Sequence, residues 1–283
     1  MRFTREAALQ SLYIQELLAP VFIGLQCHIT LKNSHNQSDM TTSALILAAG
    51  RGQRMRPLTD TTPKPLLKVH GQALIDWHVQ ALAEGGFTRL VINTDWLGKQ
   101  FEPHFRHQIG LQPNKYGNSK LLISYSHEGL DFGGVLETAG GVARALPLLG
   151  DVFWVLAGDV FTPGFAFTQS AVERFTASGK LAHLWLTPNP AHNLKGDFGL
   201  SADGLAVNLP ADSLQPRHTF STIALYRTAF FDSLPFGNPQ GIKAPLNHLL
   251  RAAMDNDQVS AELYSGPWTD VGTPERLAEL NRT

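Results

Sequence analysis

Residues 44–67 constrain this chain more than any other stretch. They read Ala-Leu-Ile-Leu-Ala-Ala-Gly-Arg-Gly-Gln-Arg-Met-Arg-Pro-Leu-Thr and then, after Asp60 and Thr61, Thr-Pro-Lys-Pro-Leu-Leu. The apolar run 44–47, bounded by small residues, predicts a buried parallel strand. It leads directly into a loop in which Gly50 and Gly52 remove side chains where the backbone must bend and leave bare N–H groups. Arg51, Arg54, Arg56 and Lys64 add positive charge to the same concavity. A loop of this kind at the carboxyl end of a parallel strand is where open α/β sheets bind phosphorylated ligands. Its charge suits a polyphosphate.

Two common phosphate motifs do not fit. A P-loop requires Lys-Ser or Lys-Thr after its second glycine, and none follows here. The dinucleotide fingerprint requires a third glycine, and Met55 stands in its place. The segment instead resembles the signature of the sugar-phosphate nucleotidylyltransferases, L-A-[AG]-G-x-G-x-R-[ML] with a downstream P-K-P.

The rest of the chain sets bounds. Its 283 residues are 43% hydrophobic and 17% charged, enough for a sizeable core, and the net charge is −1. Such a balance supplies no field for nucleic acid or an anionic membrane, so neither is expected as a partner. The single cysteine, Cys27, excludes an internal disulfide and fits a cytoplasmic location. Residues 1–43 stand apart as an N-terminal extension. The apolar stretch 17–25 is too short for a membrane span and is broken by Pro20. Residues 32–39 are polar, and Met40 opens a run that would begin such a protein normally. The extension is therefore expected to be disordered or to reflect a start assigned upstream of Met40. Residues 44–283 form the expected catalytic domain.

Within that domain strand and helix signals alternate. Strands are predicted over 44–47, 89–93, 121–126, 152–156, 181–186 and 219–226. Helices are predicted over 73–84, 96–105, 138–146 and 244–254, and over 274–281 with Thr273 as its cap and Pro245 inside the first turn of the 244–254 helix. Segments 108–119 and 188–210 read as surface excursions. The alternation predicts an α/β fold with a mostly parallel central sheet; the resemblance implies the Rossmann-like three-layer nucleotidyltransferase form.

The reaction implied by the resemblance joins a sugar 1-phosphate oxygen to the α-phosphorus of a nucleoside triphosphate and expels pyrophosphate. Both partners are anions, so cationic side chains and a divalent cation on carboxylates are required. Mg²⁺ takes one or two protein carboxylates and completes its shell with phosphate oxygens and water. By resemblance Asp159, after Gly158, and Asp270, in Trp268-Thr269-Asp270-Val271-Gly272-Thr273-Pro274-Glu275-Arg276-Leu277, hold the metal. Arg54 and Lys64 grip the triphosphate, and Arg54, Lys64 and Asp159 are the catalytic candidates. Ala49, Gly50, Gly52 and Gln53 line the nucleotide, the last two through backbone N–H groups.

Several further segments resemble the N-acetylmuramate 1-phosphate uridylyltransferases of cell-wall recycling. They include Val91-Ile92-Asn93-x-x-Trp96-Leu97-Gly98, Leu136-Glu137-Thr138-Ala139-Gly140-Gly141, Ala145-Leu146-Pro147-Leu148-Leu149-Gly150, Asn189-Pro190-x-His192, Gly196-Asp197-Phe198 and Thr219-Phe220-Ser221. The match implies that Thr138 and Gly140 meet the nucleotide and that Asn93, Glu137 and Asp197 meet the sugar phosphate. Asn93, Trp96, 137–141, Asp197 and 219–223 are expected to share one pocket. Three departures bear on the sugar and not on phosphate chemistry: Ala157 before Gly158-Asp159, Thr222 after Ser221, and Ala139 in the 137–141 run. UTP with N-acetylmuramate 1-phosphate is the substrate pair implied. Mannose 1-phosphate with GTP, or glucose 1-phosphate with TTP or UTP, stays open on these residues. So does a non-catalytic nucleotide-sugar sensor on the same fold, although such a sensor has no need of Asp159 and Asp270. A monomer or weak homo-oligomer is expected. His104, His107 and His127 read as ordinary histidines, and Phe161, Phe165 and Phe167 as core.

Overall fold

A computed structural model describes residues 42–109 and 121–282 of the chain. The expected extension 1–43 lies outside the described residues except for its last two positions, and most of the 108–119 excursion lies outside them as well. One seven-stranded sheet dominates. Its strands in chain order are β1 (Ser43–Leu47), β2 (Arg89–Thr94), β3 (Leu122–His127), β4 (Val152–Ala157), β5 (Ala182–Thr187), β6 (Thr219–Arg227) and β7 (Val259–Leu263). Their spatial order is β7-β5-β6-β4-β1-β2-β3. The sheet is parallel except at β6, which runs antiparallel to both β4 and β5. From β1 the chain winds outward to β2 and β3, then returns to place β4 on the other flank of β1. The carboxyl ends of β1 and β4 therefore flank the topological switch point where such sheets bind ligands. Gly158 N–H donates to the Leu47 carbonyl at 2.9 Å, tying those two ends together.

The central strands are buried on both faces, as interior strands of a parallel sheet are, and the edge strands β3 and β7 are partly exposed. Ile46, Trp154 and Leu156 face one core with Ile75, Val79 and Leu82 of α1 (Leu74–Glu84), Phe101 and Phe105 of α2 (Phe101–Ile109), and the helix Gln169–Ser178. Phe165 and Phe167 pack in that core, edge-on to Trp154. Leu45, Phe153 and Val155 face the other core with α4 (Glu137–Ala145), which follows the short α3 (Glu128–Phe132), and with the helix Leu246–Met254. The result is the expected three-layer α/β architecture.

Three local differences from the sequence reading have simple causes. The helix Gln169–Ser178, capped by the Thr168 hydroxyl, was absent from that reading because only Ala171, Val172 and Phe175 are buried along it. Strand β7 was absent too, because its pattern is short and mixed. Pro245 is the N-cap of the helix Leu246–Met254 and not a first-turn residue. Thr273 does cap the terminal helix Pro274–Leu280, accepting a hydrogen bond from Arg276 N.

Candidate active site

A cleft of about 590 Å³ opens at the switch point. Leu47, the loop 48–55, Lys64, Ala157, Asp159 and Gly272 line one part of it, and Asn93, Glu128, Val135, Glu137 and Thr138 line the other. Gly52 sits in the left-handed region at φ +59°, and a Cβ there would stand 2.8 Å from Thr59 Cγ2. The Thr59 hydroxyl donates to the Gly52 carbonyl at 2.8 Å, which fixes the bend. Both conformation and space demand glycine. Arg54, in the 3₁₀ turn Gln53–Met55, is exposed on the cleft and has no ion-pair partner among the described residues.

Lys64 is buried between its two prolines and is not a free surface cation. Its Nζ lies 2.5 Å from Asp159 Oδ2 and 3.8 Å from Asp270 Oδ1. Two residues 111 positions apart are brought together by a small ribbon in which Thr269 pairs with Phe161 and Asp270 with Val160. Val271 N–H adds a bond to the Asp159 carbonyl at 3.1 Å. A satellite core underlies this arrangement. Met55, Leu67, Phe161, Val271 and Leu277 pack with Val69 and Leu74. Each of the first four lies within three residues of Arg54, Lys64, Asp159 or Asp270. Apolar burial worth about 1.5–3 kcal/mol per large side chain thus fixes four charged groups.

His78 on α1 supports the same segment from below, its Nε2 2.9 Å from the Val160 carbonyl. Burial lowers its pKa from 6.5 to about 4, against the smaller upward effects of the Val160 carbonyl and Asp159, so the ring is neutral at pH 7.

The second part of the cleft is built differently from expectation. Asn93 does line it, but both ends of its amide are committed: Oδ1 accepts from Ala48 N–H at 2.6 Å and Nδ2 donates to Glu128 Oε1 at 2.6 Å. Glu128 Oε2 accepts from Leu136 N–H at 2.8 Å, and burial pushes the Glu128 carboxyl above its usual range despite these bonds. Glu137 and Thr138 open α4 on the cleft, Glu137 at φ +62°. Gly140 does not reach it. Its N–H donates to the Ala244 carbonyl at 3.2 Å, and a Cβ would stand 2.4 Å from the Ile242 carbonyl, so this glycine permits close packing.

Asp197 is also outside the cleft lining. Its Oδ2 accepts from Phe220 N–H at 2.8 Å and its Oδ1 from Asn193 Nδ2 at 3.3 Å. Of the residues expected to share one pocket, Asn93, Glu137 and Thr138 line this cleft, and Trp96, Asp197 and 219–223 lie outside its lining. Trp96 instead donates to the Thr59 carbonyl at 2.8 Å and carries the Arg51 guanidinium 5.8 Å from its ring. Arg51 lines the cleft, whereas Arg56 pairs with Asp60 at the surface. His104 pairs with Asp76 and His127 with Thr94, as ordinary histidines do; the His107 side chain lies outside the described residues.

Sequence reasoning missed Glu128, His78, His192 and Arg276. The last two contact Asp270: Arg276 Nη1 at 2.9 Å and His192 Nε2 at 3.5 Å from its Oδ2. His192 and Arg276 do fall inside the segments that carry the family resemblance, and Arg276 is also a cation in the first turn of a helix, where the backbone dipole disfavours it.

Residues 43–201 match the family model described as nucleotidyl transferase. The N-acetylmuramate alpha-1-phosphate uridylyltransferase of Neisseria meningitidis serogroup B is 45% identical over 248 residues, spanning 83% of this chain and 95% of that protein. The protein of the same description from Caulobacter vibrioides is 34% identical, spanning 83% of this chain and 97% of its own length. A Bacillus anthracis structure, described as a glucose-1-phosphate thymidylyltransferase in complex with a sucrose, superposes with a TM-score of 0.65 at 21% identity. It covers 85% of this chain and 94% of its own, and the likeness is one of fold.

Proposed function

The chain belongs to the nucleotidyl transferase family, and we propose that it transfers the uridylyl group of UTP to N-acetylmuramate 1-phosphate. The observation that carries the chemistry is the convergence of Lys64, Asp159 and Asp270 at the mouth of the glycine loop. The substrate pair is supported by the 45% identity to a uridylyltransferase of that description across most of both chains. The product would belong to peptidoglycan recycling, and a cytoplasmic site of action fits a chain with one cysteine. No helix among the described residues is long and apolar enough to cross a membrane.

In this reading the loop N–H groups of Gly52 and Gln53, with the free guanidinium of Arg54, receive the triphosphate. Lys64 moves its charge from Asp159 toward the phosphates as they bind. A phosphate oxygen of the sugar 1-phosphate forms a bond to the α-phosphorus while the α–β bridging bond breaks, and the electron pair leaves with pyrophosphate. Positioning two anions in line and neutralising the charge that develops on the leaving oxygen are the protein's share of the work.

A divalent cation fits the donor set. Among the described residues no group of three or more His, Cys, Asp or Glu residues converges as a metal cage. Two partly exposed carboxylates facing a shared ammonium nevertheless suit Mg²⁺, which needs only one or two protein carboxylates when phosphates supply other oxygens. Asp159 and Asp270 would hold it, and bound there it would supply neutralising charge to the phosphates. The test is kcat/KM for pyrophosphate release across a panel of sugar 1-phosphates and triphosphates. UTP with N-acetylmuramate 1-phosphate should rank first. A preference for mannose 1-phosphate with GTP would overturn the substrate assignment.

A further inference from the structure

The two oxygens of Asp270 are held by different partners. Oδ1 lies 3.8 Å from the Nζ of Lys64, a residue that lines the cleft. Oδ2 accepts from Arg276 Nη1 at 2.9 Å, and the same Nη1 donates to the Asp270 main-chain carbonyl at 2.9 Å. His192 Nε2, from the 188–197 loop, stands 3.5 Å from Oδ2 and 3.5 Å from Arg276 Nη1. One guanidinium nitrogen thus grips the aspartate at backbone and side chain together.

Two further features converge on this contact. Gly272 carries no positive φ that would explain a glycine, yet a Cβ there would stand 3.0 Å from both Arg276 Nη1 and Asp270 Oδ2. The missing side chain is what leaves room for the pair. Arg276 also sits in the first turn of the helix Pro274–Leu280, where a cation meets the positive end of the helix dipole. A sequence that breaks a local rule needs a compensating gain, and among the described residues the ion pair Arg276 makes is with Asp270.

We propose that Arg276 is the positioning residue for Asp270. It fixes Oδ2 and so keeps Oδ1 turned toward Lys64 and Asp159, available to a divalent cation on the incoming triphosphate. The proposal rests on the reading of Asp270 as a cation ligand. Without Arg276 the carboxylate is free to rotate and close on Lys64, which already holds Asp159 at 2.5 Å. Both the ligand geometry and the mobility of the lysine would then be lost. Partners that orient ligating carboxylates typically contribute about ten- to hundredfold in metal affinity.

Charge alone predicts the reverse. Removing a cation beside a cation site should tighten metal binding, so the sign of the effect separates positioning from a simple charge term. The experiment measures the affinity of the full chain for Mn²⁺–UTP by water-proton relaxation enhancement, with metal-free UTP binding by calorimetry alongside. Arg276→Ala should weaken Mn²⁺–UTP binding about ten- to hundredfold and leave metal-free UTP binding unchanged. Added guanidinium ion should restore part of the loss, and Gly272→Ala, which pushes the same pair apart, should weaken it in the same direction. Arg276→Ala combined with Asp270→Asn should be no worse than Asp270→Asn alone. Unchanged or tighter Mn²⁺–UTP binding in Arg276→Ala, beside a clear loss in Asp270→Asn, overturns the proposal and leaves the cation reading standing. No loss in Asp270→Asn overturns the cation reading and the proposal with it.

Discussion

The cleft and the 188–227 region are held together by different physics. On the cleft side Arg54, Lys64, Asp159 and Asp270 each stand next to an apolar anchor, and the anchors Met55, Leu67, Phe161 and Val271 share one satellite core. The 188–227 region adds to its core residues, Phe198, Ile223 and Tyr226 among them, a set of interlocked polar ties. Asn193 donates to Asp197 and to Thr219, the Thr219 hydroxyl donates to Asn189, and Asn189 donates to the Arg217 carbonyl. That region ends in a β-bulge between Phe220 and Ala224, where Thr222 adopts φ +68° with its hydroxyl buried and without a hydrogen-bond partner. Non-directional packing makes a rigid platform for charge chemistry. A polar network with a strained residue is the kind of structure in which a single substitution alters shape without touching the reaction.

The largest effect should come from the cleft. Asp159→Asn removes a charge that Lys64 and the proposed cation both require, and kcat should fall roughly a hundred- to thousandfold, the scale of losing one electrostatic stabiliser. Circular dichroism of the same sample should be unchanged. Activity near wild type would remove Asp159 from the chemistry and break the contrast between the two regions.

Acid sensitivity should map to the cleft side as well. The folded-state pKa of His78, about 4, lies below the ordinary 6.5, so the unfolded chain binds the proton first. The stability tied to the neutral ring is complete above pH 6.5 and is lost as pH falls toward 4. Between pH 6.5 and 5 the loss should be about 1.5 kcal/mol, from 1.36 kcal/mol per pKa unit. Urea midpoints at the two pH values should diverge less in His78→Gln than in wild type. Equal slopes in both would show that this histidine does not buttress the Val160 segment.

A smaller effect, of opposite sign, belongs to the 188–227 region. Thr222→Gly relieves a left-handed β-branched residue and an unpaired buried hydroxyl, against the entropy cost of glycine. The net gain should be about 1 kcal/mol, which raises Tm by about 2–4 °C for a domain of this size. A lower Tm would mean that the Thr222 methyl group packs better than its backbone is strained.

The same contrast explains what could be read before the structure was known. The glycine loop, Arg54, Lys64 and the two aspartates were legible because each lies in a short contiguous pattern at a strand end, and their convergence needs only the α/β topology. Gly140 and Asp197 lie outside the cleft lining because remote segments hold them, the Ala244 carbonyl and Phe220 N–H respectively. Asn93 was assigned to the substrate, yet its amide joins Ala48 to Glu128, a partner 35 residues away that no local pattern announces. Antiparallel β6 was read as a strand but not as reversed, since direction is set by the long 188–218 connection and not by its own residues.

We propose that the cleft performs the transfer while the 188–227 region, which meets the Asp270 segment through His192 and through the Ser221 carbonyl that accepts from Trp268 Nε1, shapes the choice of sugar. The most direct test is kcat/KM for a common panel of sugar 1-phosphates with UTP, measured for wild type, Asp159→Asn and Thr222→Gly. Asp159→Asn should lower every sugar by one common factor and keep their ranking, and Thr222→Gly should change the ranking while leaving the best kcat near wild type. A reordered ranking in Asp159→Asn, or a uniform loss across all sugars in Thr222→Gly, would contradict the account.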